Sequence, residues 1–291
     1  MSRQPSPAAN NGPDALDLRP GQSIELLKAL HILTRDGKIN QDSRRKLKQV
    51  NHLLQFIEPL VELSDANASI RIVDHGAGKS YLGFMIYDRF FADGVRHGEV
   101  HSIETRAELV ASSQALAAKA GFSGMRFHAL SVAESITSKW LPAEVDIVTA
   151  LHACNTATDD AIRFALAKNA KHIVAVPCCQ AEVAVVFREH KAESLSATPL
   201  AEIWRHPLHT REFGSQITNV LRCLQLEAHG YQVTVTELVG WEHSMKNELI
   251  IASKHNGGEK GKPARKSAER LDELLRSLGL ESLRERFFVP A

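Results

Sequence analysis

Residues 70–81 read Ile70-Arg71-Ile72-Val73-Asp74-His75-Gly76-Ala77-Gly78-Lys79-Ser80-Tyr81. A β-branched run leads into two glycines, and helical spacing of apolar residues begins at Tyr81, so the segment predicts a strand, a tight turn and a helix. Three ligand classes use such a turn. A Walker A loop needs a glycine five positions before the glycine of Gly-Lys-Ser, and counting back from Gly78 reaches Val73 inside the strand. The phosphate cradle is therefore missing. A G-x-G-x-x-G fingerprint starting at Gly76 needs Gly or Ala where Tyr81 stands, which disfavours NAD.

The remaining class is S-adenosylmethionine, which asks for close backbone approach at two glycines and for no pyrophosphate at the helix start. D-x-G-x-G suits that ligand. A carboxylate at the end of the next strand would then accept from both ribose hydroxyls, and Glu104 closes the run Val100-His101-Ser102-Ile103-Glu104 in that place.

Outward from the glycines, short β-branched runs at 70–74, 99–104, 126–130, 145–150 and 172–176 alternate with helical patterns at 81–91, 107–120 and 159–169. That alternation predicts a parallel sheet with helices on both faces. Residues 231–238 and 249–253 are separated by too few residues for a helical crossover, so they predict an antiparallel pair. The expected fold class is α/β, with five parallel strands plus a C-terminal antiparallel pair. Residues 1–22, rich in Pro, Asn, Gly and Ser, predict a flexible tail. Residues 23–65 predict an N-terminal helical extension and 66–254 the main domain. Residues 255–291 predict a basic linker followed by a helical appendage, the linker spanning 254–267.

Composition sets outer bounds on function. The 291 residues carry a formal net charge of +1, so attraction to nucleic acid must come from a local patch. Four cysteines form no disulfide framework, and Cys178 and Cys179 are adjacent, which fits a reducing cytoplasm. The first thirty residues lack the apolar core of a signal peptide, and no run of about 18 apolar residues occurs. A soluble, cytoplasmic protein without membrane partners is expected. Trp140, Trp204 and Trp241 are expected in or near the core, and Cys223 on a helix over 211–226 is expected to pack.

With these residues in view, the sequence resembles the class I S-adenosylmethionine-dependent methyltransferases, whose sheet is Rossmann-like. Within them it resembles a branch whose first motif is D-x-G-x-G-K-[SG]-Y-L. Asp74, Gly76, Gly78, Lys79, Ser80, Tyr81 and Leu82 match that motif. Leu151-His152-Ala153-Cys154 with Thr158-Asp159, Pro177-Cys178-Cys179 and Lys246-Asn247 match three more, so the resemblance covers residues 70–253. The branch includes rRNA adenine dimethylase-like proteins and is similar to tRNA 2'-O-ribose methyltransferases. Asn155 departs from the usual Gly or Asp, and Gln180 from the usual His.

The resemblance implies S-adenosylmethionine as cofactor, with Asp74, Gly76 and Gly78 at its methionine end and Glu104 on the ribose. It places Ser131 and Val132 where the adenine edge is read. It implies an acceptor site near Cys154, Lys246 and Asn247. With neighbouring fourth and fifth strands, His152, Cys154, Cys178 and Cys179 would converge beside the methyl group. His152 is then the candidate base. For the cysteines three readings stand open: packing of a narrow crevice, a nucleophile among Cys178 and Cys179, or a metal site, awkward for adjacent cysteines. A tRNA or rRNA acceptor is expected from the resemblance and from local charge. Lys254, Lys260, Lys262, Arg265, Lys266 and Arg270 outnumber Glu259 and Glu269, and Arg44-Arg45-Lys46 with Lys48 forms a second basic run. The two runs are expected to flank one crevice. Lys79 is expected to be solvated. Two rival classes are a non-catalytic scaffold on the same fold and an NAD-dependent oxidoreductase.

Overall fold

A computed structural model describes residues 18–19, 21–64, 68–151, 155–177, 181–189, 199–238, 248–254 and 261–288. Helices α1 (Ile24–Ala29) and α2 (Gln41–Glu62) precede β1 (Ile70–His75), α3 (Tyr81–Phe90), β2 (Gly98–Glu104), α4 (Ala107–Ala120) and β3 (Met125–Ala129). Then come α5 (Val132–Thr137), β4 (Ile147–Leu151), α6 (Ala157–Ala167), β5 (His172–Val176) and α7 (Glu182–Glu189). A 3-10 segment (Pro199–Arg205) leads into α8 (Pro207–Ala228), β6 (Tyr231–Glu237), β7 (Glu248–Lys254), α9 (Gly261–Ser277) and, after a second 3-10 turn, α10 (Arg284–Phe287).

The strands form one seven-stranded sheet in the order β3-β2-β1-β4-β5-β7-β6, an α/β fold of Rossmann-like type. Strands β1 to β5 pair in parallel, and β7 runs antiparallel to both β5 and β6. From β1 the chain moves outward to β3, then returns to place β4 on the other side of β1. The β1–β4 boundary is thus the topological switch point, and ligands of open α/β sheets bind beyond the carboxyl ends of the strands there.

Alternation along each strand explains the layers. Ile70 and Ile72 face one core with Leu47, Leu54 and Ile57 of α2 and Phe84 and Met85 of α3. Val73, Ile103 and Val148 face the other, with Ile162 and Phe164 of α6 and Leu226 of α8. A third cluster joins Val183 and Phe187 of α7, Leu221 and Leu224 of α8, Leu271 and Leu275 of α9, and Phe287.

Three expectations differ from the structure. Residues within the segment read as a flexible tail dock on the fold: Arg19 ion-pairs with Glu58, and Gln22 donates to Asn51 at 3.1 Å. Helix α9 begins at Gly261, inside the stretch read as a linker. Its residues from Ala264 onward are good helix formers, and Arg265 meets Glu269 one turn on at 3.0 Å, offsetting the basic charge along the helix. Trp140 is 81% exposed, because it sits in the loop after the short α5, where no layer covers it. Trp204 does pack, against Phe187 and Phe213, while Trp241 lies outside the described residues.

Candidate functional site

The turn after β1 explains its own composition. Gly76 and Gly78 hold φ of 70° and 56°, in the left-handed region that costs glycine nothing. Ser80 follows at φ 56° and opens α3 without a side-chain cap. The cap comes from Asp74 instead. Its carboxylate accepts the Gly83 N–H, one of the first-turn donors a helix leaves unpaired, and the Thr149 hydroxyl at 2.8 Å. Asp74 and Thr149 face each other in the β1–β4 register, so this bond straddles the switch point. Burial pushes the Asp74 carboxyl up to about 7, against the lowering effect of those bonds.

Asp74 therefore braces the turn from below, and what faces outward is loop backbone. Gly76 is exposed and Gly78 half-exposed, while Lys79 is exposed as expected. The loop hangs on the end of β2: Ala77 N–H donates to the Ile103 carbonyl at 2.9 Å, and Gly78 N–H donates to Glu104 Oε2 at 2.9 Å. Glu104 thus lies beside the two glycines, as the paired expectation requires. Hydrogen bonds from Arg106, with its charge, hold the Glu104 carboxyl down at about 2 despite partial burial.

Ser131 and Val132 follow β3. Ser131 is the N-cap of α5 in a capping box: its hydroxyl donates to Glu134 Oε2 at 2.6 Å and accepts from the Glu134 N–H. The hydroxyl expected to read adenine is thus committed to the helix. His152, Cys154, Cys178, Cys179, Lys246 and Asn247 lie outside the described residues.

Several residues at this end of the sheet escaped the sequence reading. His75 is 5% exposed, neither ring nitrogen has a partner among the described residues, and its ring lies tilted against Phe164 at 5.4 Å. Burial lowers it to about 4, so it is neutral. Arg222, fully buried on α8, forks onto Asp159 at 2.6 and 3.0 Å and donates from Nη2 to the Asn155 carbonyl at 3.1 Å. Asn155 holds φ 53°, and its side-chain oxygen accepts from the Ala181 N–H at 3.3 Å, tying the chain after β4 to the chain after β5. Arg286 of α10 reaches Asp159 at 3.3 Å and Glu182 at 2.9 Å. An arginine on the apolar stripe of the helix around Leu221 and Leu224 was the available signal, because a buried charge demands a partner.

The two basic runs separate. Leu54 and Met85 line one cavity, and Arg89 donates to Glu58, so α2 and α3 run side by side in the same direction. The first turns of α2, with exposed Arg45, Lys46 and Lys48, therefore lie toward the glycine-turn end. Lys254 ends antiparallel β7 opposite Tyr231, and its N–H donates to Lys171 just before β5. The second run thus starts at the opposite end of the strands. The expectation that both runs flank one crevice is corrected by the direction of β7.

A glycine turn open at the switch point, with an ionised carboxylate held beside it, fits a ligand that needs backbone approach and a diol acceptor. Residues 45–186 match a family model described as a methyltransferase domain. No curated protein sequence matches the chain. Among solved structures the chain is similar to magnesium protoporphyrin IX methyltransferase of Synechocystis PCC 6803 with bound SAH, at 13% identity over 79% of this chain and 94% of that one, with a TM-score of 0.47. It is also similar to the CMeT domain of citrinin polyketide synthase, at 15% identity, 74% of this chain and a TM-score of 0.46, and spans 58% of that domain. A third similarity is to an rRNA methylase of Streptococcus thermophilus, at 8% identity over 69% and 94% of the two chains, with a TM-score of 0.40. The match of residues 45–186 to a methyltransferase domain supports an enzyme with S-adenosylmethionine as methyl donor.

Proposed function

We propose that this methyltransferase domain acts on RNA. The observation that carries the reading is the exposed basic turn Arg45, Lys46 and Lys48 at the glycine-turn end of the α2–α3 pair, where phosphates of a strand presented to the methyl donor would pass. Gly76, Gly78 and Glu104 would hold the donor, whose sulfonium supplies an already activated methyl group. The chain's own task is then to align and desolvate. Orientation alone accounts for much of the barrier in such transfers. Neutral His75, under the turn, adds no positive charge beneath the donor's sulfonium. For a hydroxyl or amine acceptor a base must also take a proton, and His152 is assigned that role on its place after β4.

The test is a transfer assay with tritiated methyl donor on total RNA and, separately, on total protein from cells lacking the gene. Label is expected in RNA. Binding of total tRNA and rRNA fragments should weaken with salt, log affinity falling by about 0.7 per contacted phosphate on a log salt scale. Lys46→Glu with Lys48→Glu should weaken binding and flatten that slope. Label confined to protein, or RNA binding indifferent to salt, would show that the acceptor is not RNA.

A further inference from the structure

The donors around the Glu104 carboxylate use both oxygens fully. Oε1 accepts from the Arg106 backbone N–H at 3.1 Å and from Arg106 Nε at 2.9 Å, and the Thr105 hydroxyl lies 3.3 Å away. Oε2 accepts from the Gly78 N–H at 2.9 Å and from Arg106 Nη2 at 3.3 Å. An ionised carboxylate has about four lone-pair sites, so a ligand hydroxyl reaches Glu104 only when a donor leaves.

The two backbone donors cannot leave without unmaking the fold. Gly78 N–H is set by the turn's left-handed backbone, and Arg106 N–H by the start of α4. The guanidinium is free to go. The Arg106 side chain is 60% exposed and makes no cap bond to α4 although it stands at the N-cap. It also lies over the turn, with Nη2 4.0 Å from where a Cβ on Gly78 would be. Its two donors fall one on each oxygen, the pattern in which a vicinal diol would address the same carboxylate.

We propose that Arg106 is a placeholder at the ribose position: its guanidinium occupies both oxygens of Glu104 in the free protein and is displaced when a nucleoside diol binds. The inference rests on reading Glu104 as the ribose ligand. The arrangement fills the lone-pair sites that the two backbone donors leave open on a nearly buried carboxylate before the cofactor arrives, and an unfilled buried acceptor is costly. The consequence is competition, because each binding event exchanges one set of charged hydrogen bonds for another. Arg106 also sets the affinity for any nucleoside that lacks one hydroxyl, since such a ligand displaces two donors and returns one.

Calorimetry of S-adenosylhomocysteine against the full chain decides the matter. With its arginine 60% exposed the pair is weak, so Arg106→Ala should bind about three- to fivefold tighter than the unaltered protein. Arg106→Lys should fall between the two, because an ammonium keeps the charge and loses the fork. Glu104→Ala should lose about tenfold or more, and adding Arg106→Ala to it should change nothing further. If Glu104→Ala loses affinity while Arg106→Ala and Arg106→Lys bind equally or more weakly, the placeholder is wrong and the ribose assignment stands. If Glu104→Ala keeps full affinity, the ribose assignment falls and the placeholder with it. Thermal melts of each variant separate these results from loss of fold, and Arg106→Lys remains decisive should Arg106→Ala fail to fold.

Discussion

Arg222 and Asp159 stand 63 positions apart in sequence and meet as a buried fork, with the guanidinium fully buried and contacts of 2.6 and 3.0 Å. Asn219 Oδ1 and the Asn155 carbonyl take two further donors of the same guanidinium. Removing Arg222 takes the fork from a carboxylate only 6% exposed and leaves it Arg286, at 3.3 Å, as its remaining cation. Arg222→Met is expected to cost about 3–5 kcal/mol, whereas Arg222→Met with Asp159→Leu should recover part of that loss. Urea unfolding of the two variants measures the difference. Equal destabilisation by both would show that packing, not the stranded carboxylate, dominates.

Asp74 gives a pH dependence whose sign follows from its environment. Its folded pKa, about 7, lies above the unfolded value of about 3.9, so the fold favours the protonated form. The unfolded chain ionises first, and stability from this group is full below about pH 4 and lost as pH rises toward 7. Asp74→Asn keeps an oxygen for the Thr149 hydroxyl and cannot ionise. Relative to the unaltered protein, its melting temperature should rise from pH 5 and level off above about pH 7. A constant offset between the two curves would show that Asp74 is ionised throughout.

Glu104→Gln tests charge separately from shape. The amide retains one acceptor oxygen and forfeits the charge that Arg106 and a ribose would both use. Affinity for S-adenosylhomocysteine should fall by about 1.5–3 kcal/mol, the range for hydrogen bonds to charged groups. Titration calorimetry reads it directly, and an unchanged constant would remove Glu104 from the site.

Gly214 sets two small effects against each other. Within α8, alanine is favoured over glycine by about 1 kcal/mol on propensity. A Cβ there would meet the Ala184 backbone nitrogen at 2.8 Å, where α7 crosses, and backbone cannot rotate away. Overpacking of this kind costs about 1–3 kcal/mol, so Gly214→Ala should lower the melting temperature despite the better helix former. A rise would show that α7 can shift at no cost.

Much of the sheet was legible because its signals are local. The alternation of β-branched runs with helical spacing yields the five parallel strands and the closing pair, with ends within two residues of the observed ones. Fraying and local hydrogen bonding set such ends, and apolar pattern does not encode them. The glycine turn and Glu104 were legible for the same reason: positive φ selects glycine at Gly76 and Gly78, and a strand-end carboxylate is a one-residue signal. The capping role of Ser131 was not read from the sequence, because a serine three residues before Glu134 reads equally as a ligand contact or a cap until α5 is seen to form.

The sequence by itself determined the strand–turn–helix unit at residues 70–90, the parallel class of the sheet and the neighbourhood of Gly78 and Glu104, because backbone conformation and hydrophobic period act between near neighbours. Tertiary structure alone decided that Asp74 caps α3 while bonding Thr149, that Arg222 joins Asp159 to the chain after β4, and that the two basic runs begin at opposite ends of the sheet. Each of these relations joins groups brought together only by strand order and direction. A buried polar group must find a partner wherever the fold places one, and no local pattern names that partner in advance.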